Sequence, residues 1–134
     1  MVHYMSLLIH KSPGITFDMS TPFGNVGSFI IQSGTFRMNT GTTTFHYGNF
    51  TVFPEGNFII RGDHDFYGKV VGSVVFEEGT INVHTENFAN EVTVTGVSLF
   101  VHYPVHFSSV TLNSASAMIL QNSVVIDRIT NVRF

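Results

Sequence analysis

The sequence predicts a single all-β domain over residues 1–134, most simply an antiparallel β-sandwich, jelly roll or barrel. Apolar residues alternate with polar ones in many short segments rich in Phe, Val, Ile and Thr, as is typical of half-buried strands. No segment repeats apolar residues at helical spacing over three turns. We therefore expect less than about a tenth helix, against the roughly one third found in globular domains. A chain of 134 residues is long enough to bury a sizeable core.

The N-terminal segment, 1–26, is predicted to form one strand followed by an arm. Met5, Leu7 and Ile9 line one face of that strand. The segment 11–25 contains two prolines and two glycines, which indicates a crossing loop with a short strand at 15–18.

The remaining strands follow from the alternation along the chain. They are expected at 28–32, 35–39, 49–53, 57–61, 69–77, 80–85, 91–95, 97–103, 105–112, 116–120, 123–127 and 130–134. Their inward-facing side chains form the predicted core: Phe29, Ile31, Phe36, Met38, Phe50, Val52, Phe58, Ile60, Val83, Leu99, Val101, Leu112 and Ile126.

The glycines are compatible with two architectures, of which the first is a set of antiparallel hairpins. Gly56 and Gly79 each follow a glutamate in two similar segments, 52–58 and 75–81, and a weaker third copy at 32–36 contains Gly34. A Glu-Gly step followed by Asn or Thr fits a type I turn with a glycine bulge at φ > 0, which is typical of antiparallel hairpins.

Glycines also recur about every seven residues in the first half of the chain, at Gly27, Gly34, Gly41, Gly48, Gly56 and Gly62. Three seven-residue sides in each coil of about 22 residues would make a β-solenoid. The spacing drifts, however, and only Gly96 follows Gly79. The antiparallel sandwich is therefore the favoured prediction, with the solenoid as its alternative.

Charged residues are scarce. Six Lys or Arg and nine Asp or Glu give a net charge of −3, whereas about a quarter of an average domain is charged. The cations are scattered, which argues against nucleic-acid binding, because that requires clustered cations. The absence of Cys excludes disulfides and thiolate metal sites. We expect no membrane partner and no secretion signal, since no apolar run approaches about 20 residues and the N-terminal segment lacks a cationic start.

The scarcity of charge is greatest in the stretch 97–120, which contains no Lys, Arg, Asp or Glu. Isolated β domains usually protect their sheet edges with charged residues, prolines or bulges. We therefore expect a neighbouring subunit to cover this stretch. The sequence predicts a homo-oligomer, with a trimer favoured, that also contacts other proteins of an assembly.

The candidate ligand-binding or interface residues are Asp63, His64, Asp65, Tyr67 and Tyr103. Asp63 and Asp65 lie two positions apart after Gly62 and could bind Ca²⁺ with backbone carbonyls, but a calcium loop normally gathers more oxygen ligands. A polar hairpin tip is therefore the favoured interpretation of this segment. Tyr67 and Tyr103 belong to a set of aromatic residues outside the clean alternation, which also includes Tyr47, Phe53, Phe66 and Phe88. Exposed aromatic residues of this kind stack on sugars or anchor subunits.

Catalytic and metal chemistry is not expected. His102 and His106 would share a metal only if Pro104 folded the chain between them, because positions i and i+4 on a strand lie about 13 Å from each other. Glu55, Glu77 and Glu78 lie at predicted turns, where a carboxylate is solvated and its pKa is hard to tune. No nucleophile, phosphate-binding or nucleotide motif occurs, so we expect neither enzyme activity nor a cofactor.

Two functional hypotheses follow. The first is a structural, self-associating β protein, such as a virion decoration, a capsid-associated protein, or a tail or filament subunit, located in a virion or extracellular assembly. The alternative is a carbohydrate-binding, lectin-like module that uses aromatic and Asp or Asn side chains.

Overall fold

The computed structural model describes residues 2–3, 7–12, 14–19, 24–25, 27–39, 44–113 and 116–131. These residues contain 17 strands and no helix. In chain order the strands are β1 (Val2–His3), β2 (Leu7–His10), β3 (Thr16–Met19), β4 (Gly24–Asn25), β5 (Ser28–Asn39), β6 (Thr44–His46), β7 (Asn49–Val52), β8 (Gly56–Arg61), β9 (His64–Phe66), β10 (Val70–Val71), β11 (Ser73–Val83), β12 (Glu91–Val101), β13 (His106–Phe107), β14 (Ser109–Leu112), β15 (Ala117–Leu120), β16 (Val125–Ile126) and β17 (Ile129–Asn131).

The strands wind into a β-solenoid with three faces. Every pair of named strands in the described residues is parallel, and each strand pairs with its counterpart one coil away. The antiparallel sandwich prediction is therefore wrong, and the solenoid alternative describes the fold. The two architectures share the same alternation because inward and outward side chains alternate on any strand that has one buried face.

The three faces follow one another around each coil. The first face comprises β2, the start of β5, β7, β10, β13 and β16. The second comprises β3, the end of β5, β8, the starts of β11 and β12, β14 and β17. The third comprises β1, β4, β6, β9, the ends of β11 and β12, and β15. Strands β5, β11 and β12 are long because each continues around a corner from one face to the next.

The coils differ in length, which explains the drifting glycine spacing. Leu7 pairs with Phe29, and this step matches the predicted coil of about 22 residues. Ile59 then pairs with Val75 after a much shorter coil, and Val110 pairs with Ile129 after a coil of intermediate length. On the first face the strand after β10 is reduced to a single bridge, from Val70 to Phe88.

The core fills the interior of the solenoid with side chains from all three faces. Eleven of the 13 predicted core residues are buried, including Phe36, Phe58 and Leu99. Leu112 and Ile126 are only partly buried, because β14 and β16 lie near the C-terminal end of the described coils. Phe66 and Phe88, which were expected to be exposed, are buried at 1% and 3% exposure and pack edge to face, with ring centroids 5.4 Å apart.

The two similar Glu-Gly segments lie at different corners of the solenoid. Neither is a hairpin turn, because at both corners the chain continues to the next face and does not reverse. Gly79 has a φ of 93° where β11 turns from the second face to the third, as predicted for a glycine at φ > 0. Gly56 instead begins β8 without a positive φ and pairs in register with Gly34. A Cβ at Gly56 would lie 2.5 Å from the Ile31 carbonyl oxygen, so close approach of the backbone accounts for this glycine.

Candidate functional site

The sequence-predicted residues Asp63 and His64 form hydrogen bonds within the fold. The Asp63 Oδ1 accepts a hydrogen bond of 2.8 Å from the backbone N–H of Thr80 in the next coil. His64 is fully buried, and its ring stacks on that of His46 with centroids 5.2 Å apart. The geometry in the described residues gathers no group of three or more His, Asp or Glu side chains around a metal position.

The remaining predicted residues lie at the outer surface of the third face, near a stack of aromatic rings. Tyr47, Tyr67, His84 and His102 each follow a third-face strand in successive coils and form what we call the corner ladder. Their ring centroids are separated by 5.1, 4.5 and 4.5 Å, with interplanar angles of 13°, 6° and 5°. The four rings therefore span roughly 14 Å parallel to the stacking direction, with spacings close to the roughly 4.8 Å between paired strands.

A hydrogen-bonded chain fixes the polar side chains beside the corner ladder. The Asn82 Nδ2 donates to the Asp65 Oδ1 at 2.9 Å, and the Asn82 Oδ1 lies 2.9 Å from the His102 Nε2. Because an amide oxygen only accepts, the His102 Nε2 carries the proton. The chain therefore runs from His102 through Asn82 to Asp65, and it leaves the second carboxylate oxygen of Asp65 as an acceptor.

The ladder rings influence one another's titration. Desolvation, followed by the nearby Asp65 carboxylate, raises the pKa of Tyr67, so its hydroxyl stays protonated at neutral pH. Desolvation and the neighbouring His102 lower the pKa of His84. The two inner rings of the corner ladder, Tyr67 and His84, are therefore neutral near pH 7.

Two further aromatic side chains, Phe45 and Tyr103, flank the ladder. Phe45 is 41% exposed and pairs in register with Asp65, while Tyr103 directly follows His102 and is 44% exposed. Neither ring stacks on another ring among the residues that the structure describes. We call the corner ladder together with Phe45, Asp65, Asn82 and Tyr103 the third-face platform.

A histidine pair lies beneath this surface, in the core. The His46 Nε2 is 2.9 Å from the His64 Nδ1, and the His64 Nε2 is 2.8 Å from the Arg61 carbonyl oxygen. The carbonyl requires a proton on the His64 Nε2, so the His64 Nδ1 accepts and the His46 Nε2 donates. The His46 Nδ1 is then an unprotonated acceptor, buried without a partner among the described residues. Burial, aided by His64, lowers the pKa of His46 to about 3.

The C-terminal coil presents a second distinctive surface. Strands β15, β16 and β17 each pair with one strand only within the described part of the chain. They contain no charged side chain. Leu120, Val125 and Ile129 are 47%, 58% and 58% exposed there. The opposite end shares the unpaired edge and the exposed apolar side chains, because β2 and β3 pair only with β5 in the described ranges, and Leu8, Ile15 and Phe17 are exposed. It differs in charge, since β3 contains Asp18, which pairs with Arg37.

Three other side chains considered in the sequence, those of His102, His106 and Glu77, have partners within the fold. The His102 ring bonds to Asn82, whereas the His106 Nε2 bonds to the Asp127 Oδ1 at 2.9 Å. Glu77 pairs with Arg61 across adjacent coils at 2.6 Å. Glu78 precedes Gly79 at the corner between the second and third faces, with a φ of 62°. Within the residues described, no helix is long and apolar enough to cross a bilayer.

Sequence reasoning noted Tyr47, Tyr67, His102 and Tyr103 but did not bring them together, and it missed Asn82 and His84. The spacings between successive ladder residues are unequal, so they become a signal only when the length of each coil is known. Comparisons with protein-family models, curated proteins and solved structures gave no match.

Proposed function

We propose that this protein is a structural, self-associating subunit that stacks end to end on copies of itself. The observation that carries this proposal is the C-terminal coil, whose three strands combine a free edge among the described residues with exposed aliphatic side chains. The strands themselves contain no charged residue, and the two charged residues of this coil, Asp127 and Arg128, lie between β16 and β17. An edge of this kind is a template for strand pairing, and natural β proteins usually blunt it with charges, prolines or bulges.

The geometry of the coils supports end-to-end contact. All named strands run parallel, so the first coil of one copy could follow the last coil of another and continue each face in register. The apolar side chains Val125 and Ile129 would then meet Leu8 and Phe17 on the corresponding faces. Each such contact would pair backbone groups and bury aliphatic surface at the same time.

Such a contact joins two different surfaces, and because it continues the coils along one axis it repeats as an open stack and does not close into a ring. Head-to-tail interfaces generate rings or open filaments, whereas the trimer expected from the sequence would require contacts between the sides of the solenoids. Among the assemblies considered, a tail or filament subunit fits an open stack better than a capsid decoration does.

Sedimentation velocity over a range of protein concentrations, followed by negative-stain electron microscopy, tests the proposal. We expect a concentration-dependent series of species and rods whose width is that of one solenoid. Val125→Lys should abolish the series, since it places a charge among exposed aliphatic side chains at the C-terminal end. The matched control is Val71→Lys, which adds the same charge at a 37% exposed position in the middle of the first face.

The outcomes separate the two modes of association. Loss of the series with Val125→Lys and its retention with Val71→Lys supports end-to-end stacking. A single trimeric species that is weakened by Val71→Lys would contradict end-to-end stacking and would indicate that the copies pack side by side. A wild-type protein that stays monomeric at high concentration and low salt would refute self-association.

A further inference from the structure

We propose that the third-face platform binds a neutral polysaccharide chain lying along the corner ladder. This binding function is independent of end-to-end association, because the platform lies on the side of the solenoid. It rests on the shape, charge and hydrogen-bonding groups of the platform.

Charge excludes the common ionic ligands. The platform contains one carboxylate, that of Asp65, and no Lys or Arg. A phosphate, sulfate or uronate group would find no Lys or Arg there and would be repelled by Asp65. A single carboxylate held by Asn82 is a poor site for a polycation, but it is a good acceptor for hydroxyl groups. The complementary ligand is uncharged and rich in hydroxyls.

Ring geometry specifies how such a ligand would lie. Mutual stacking covers the faces of the inner ladder rings, Tyr67 and His84, so these rings offer their edges to solvent. The phenol hydroxyl of Tyr67 can both donate and accept, and the second carboxylate oxygen of Asp65 can accept. The exposed ring of Tyr103 is suited to stacking on the apolar face of a sugar ring.

The repeat of the ladder favours a chain over a single sugar. Aromatic rings recur at centroid spacings of 4.5 to 5.1 Å over four coils. Beside them, the side chains of Asp65, Asn82 and His102 are already fixed by hydrogen bonds to one another. Successive units of a linear polymer can contact successive rungs, and each contact adds to the same binding event. Prior fixation of these side chains lowers the entropy cost of binding.

Affinity gel electrophoresis tests this proposal with soluble polysaccharides cast into native gels. The neutral probes are hydroxyethyl cellulose, arabinoxylan, galactomannan and laminarin, and the acidic probes are alginate and polygalacturonate. We expect retardation by at least one neutral probe, with binding at least tenfold weaker for Tyr67→Ala and Tyr103→Ala. Tyr67→Phe, which keeps the ring and loses the hydroxyl, should be intermediate.

Phe53→Ala is the matched control, because Phe53 is 46% exposed on another corner and its loss should leave retardation unchanged. Tyr103→Ala removes a ring that stacks on no other ring in the described part of the chain, so this variant leaves the stacked rings of the corner ladder intact. Circular dichroism checks the fold of each variant. Retardation by no neutral probe, by acidic probes only, or to an equal extent by wild type and both alanine variants would overturn the proposal. Loss of self-association in Tyr67→Ala without any polysaccharide binding would overturn it as well, and would assign the platform to a contact between copies.

Discussion

Acidification should destabilise this protein through the buried pair His46 and His64, well above the pH at which carboxylates are protonated. Burial lowers the pKa of both rings, and neither ring is hydrogen-bonded to a carboxylate that would compensate a positive charge in the core. The folded protein therefore keeps both rings neutral, whereas the unfolded chain binds protons below the ordinary histidine pKa of 6.5. The stability due to the neutral pair is complete above that value and is lost as the pH falls.

The size of the effect follows from the His46 pKa of about 3 in the folded state. Between pH 6.5 and pH 3, each unit of pH favours the unfolded chain by up to about 1.4 kcal/mol for this one group. At pH 5 the loss from His46 alone is about 2 kcal/mol, a substantial part of the roughly 5–15 kcal/mol typical of a domain. His64 acts in the same direction, although the Arg61 carbonyl and the nearby carboxylates oppose the effect of burial on its pKa. Asp18, whose pKa is lowered by its hydrogen bonds to Arg37, loses its contribution only below 3.8 and does not affect this window.

Urea unfolding at pH 8 and pH 5 measures this difference directly. Wild type should lose at least about 2 kcal/mol between the two, and His46→Gln should lose less, because glutamine can still donate to the His64 Nδ1 but cannot be protonated. Met38→Leu is the control: this volume-conserving change at a fully buried position should lower stability equally at both pH values. If His46→Gln showed the same pH dependence as wild type, His46 would not be the titrating group.

Two further predictions concern packing and backbone geometry. Phe58→Ala should lower the free energy of unfolding by about 3–5 kcal/mol, because Phe58 is 1% exposed and stacks on Phe50 at 4.8 Å; an unchanged melting temperature would contradict this. Gly79→Ala should cost at least about 1 kcal/mol more than Gly14→Ala by urea unfolding. Both glycines have positive φ, but only at Gly79 would the new Cβ collide with a backbone oxygen, that of Gly62, so equal costs would show that the backbone moves aside.

The alternation of apolar residues predicted the core well because it depends only on each strand having one buried face. Sandwiches and solenoids share that property. Phe29, Ile31, Phe36 and Met38 point inward on β5, whichever direction the neighbouring strands take. Strand direction is not encoded in that pattern. It depends on whether the chain reverses at a tight turn or continues around a corner, and a glycine with φ > 0 is compatible with both.

The glycine repeat was real but applied only to the early coils. Gly34 and Gly56 stack in register, as expected for a solenoid. Gly79 resembles Gly56 in local sequence, yet it lies at a different corner, because the coil between Ile59 and Val75 is shorter than the coil between Leu7 and Phe29. The constant spacing between glycines is therefore lost at the first coil in which one side of the solenoid is shorter.

The third-face platform shows why the site was harder to predict than the core. Burial of a core residue depends on its own strand, whereas the corner ladder exists only when Tyr47, Tyr67, His84 and His102 occupy the same corner of four successive coils. No local motif marks these residues, and the sequence relates His102 only to His106, its neighbour along the chain. Their chemistry depends on register: although the coils differ in length, each of the four places an aromatic side chain at the same corner, and the two inner coils place Asp65 and Asn82 beside it.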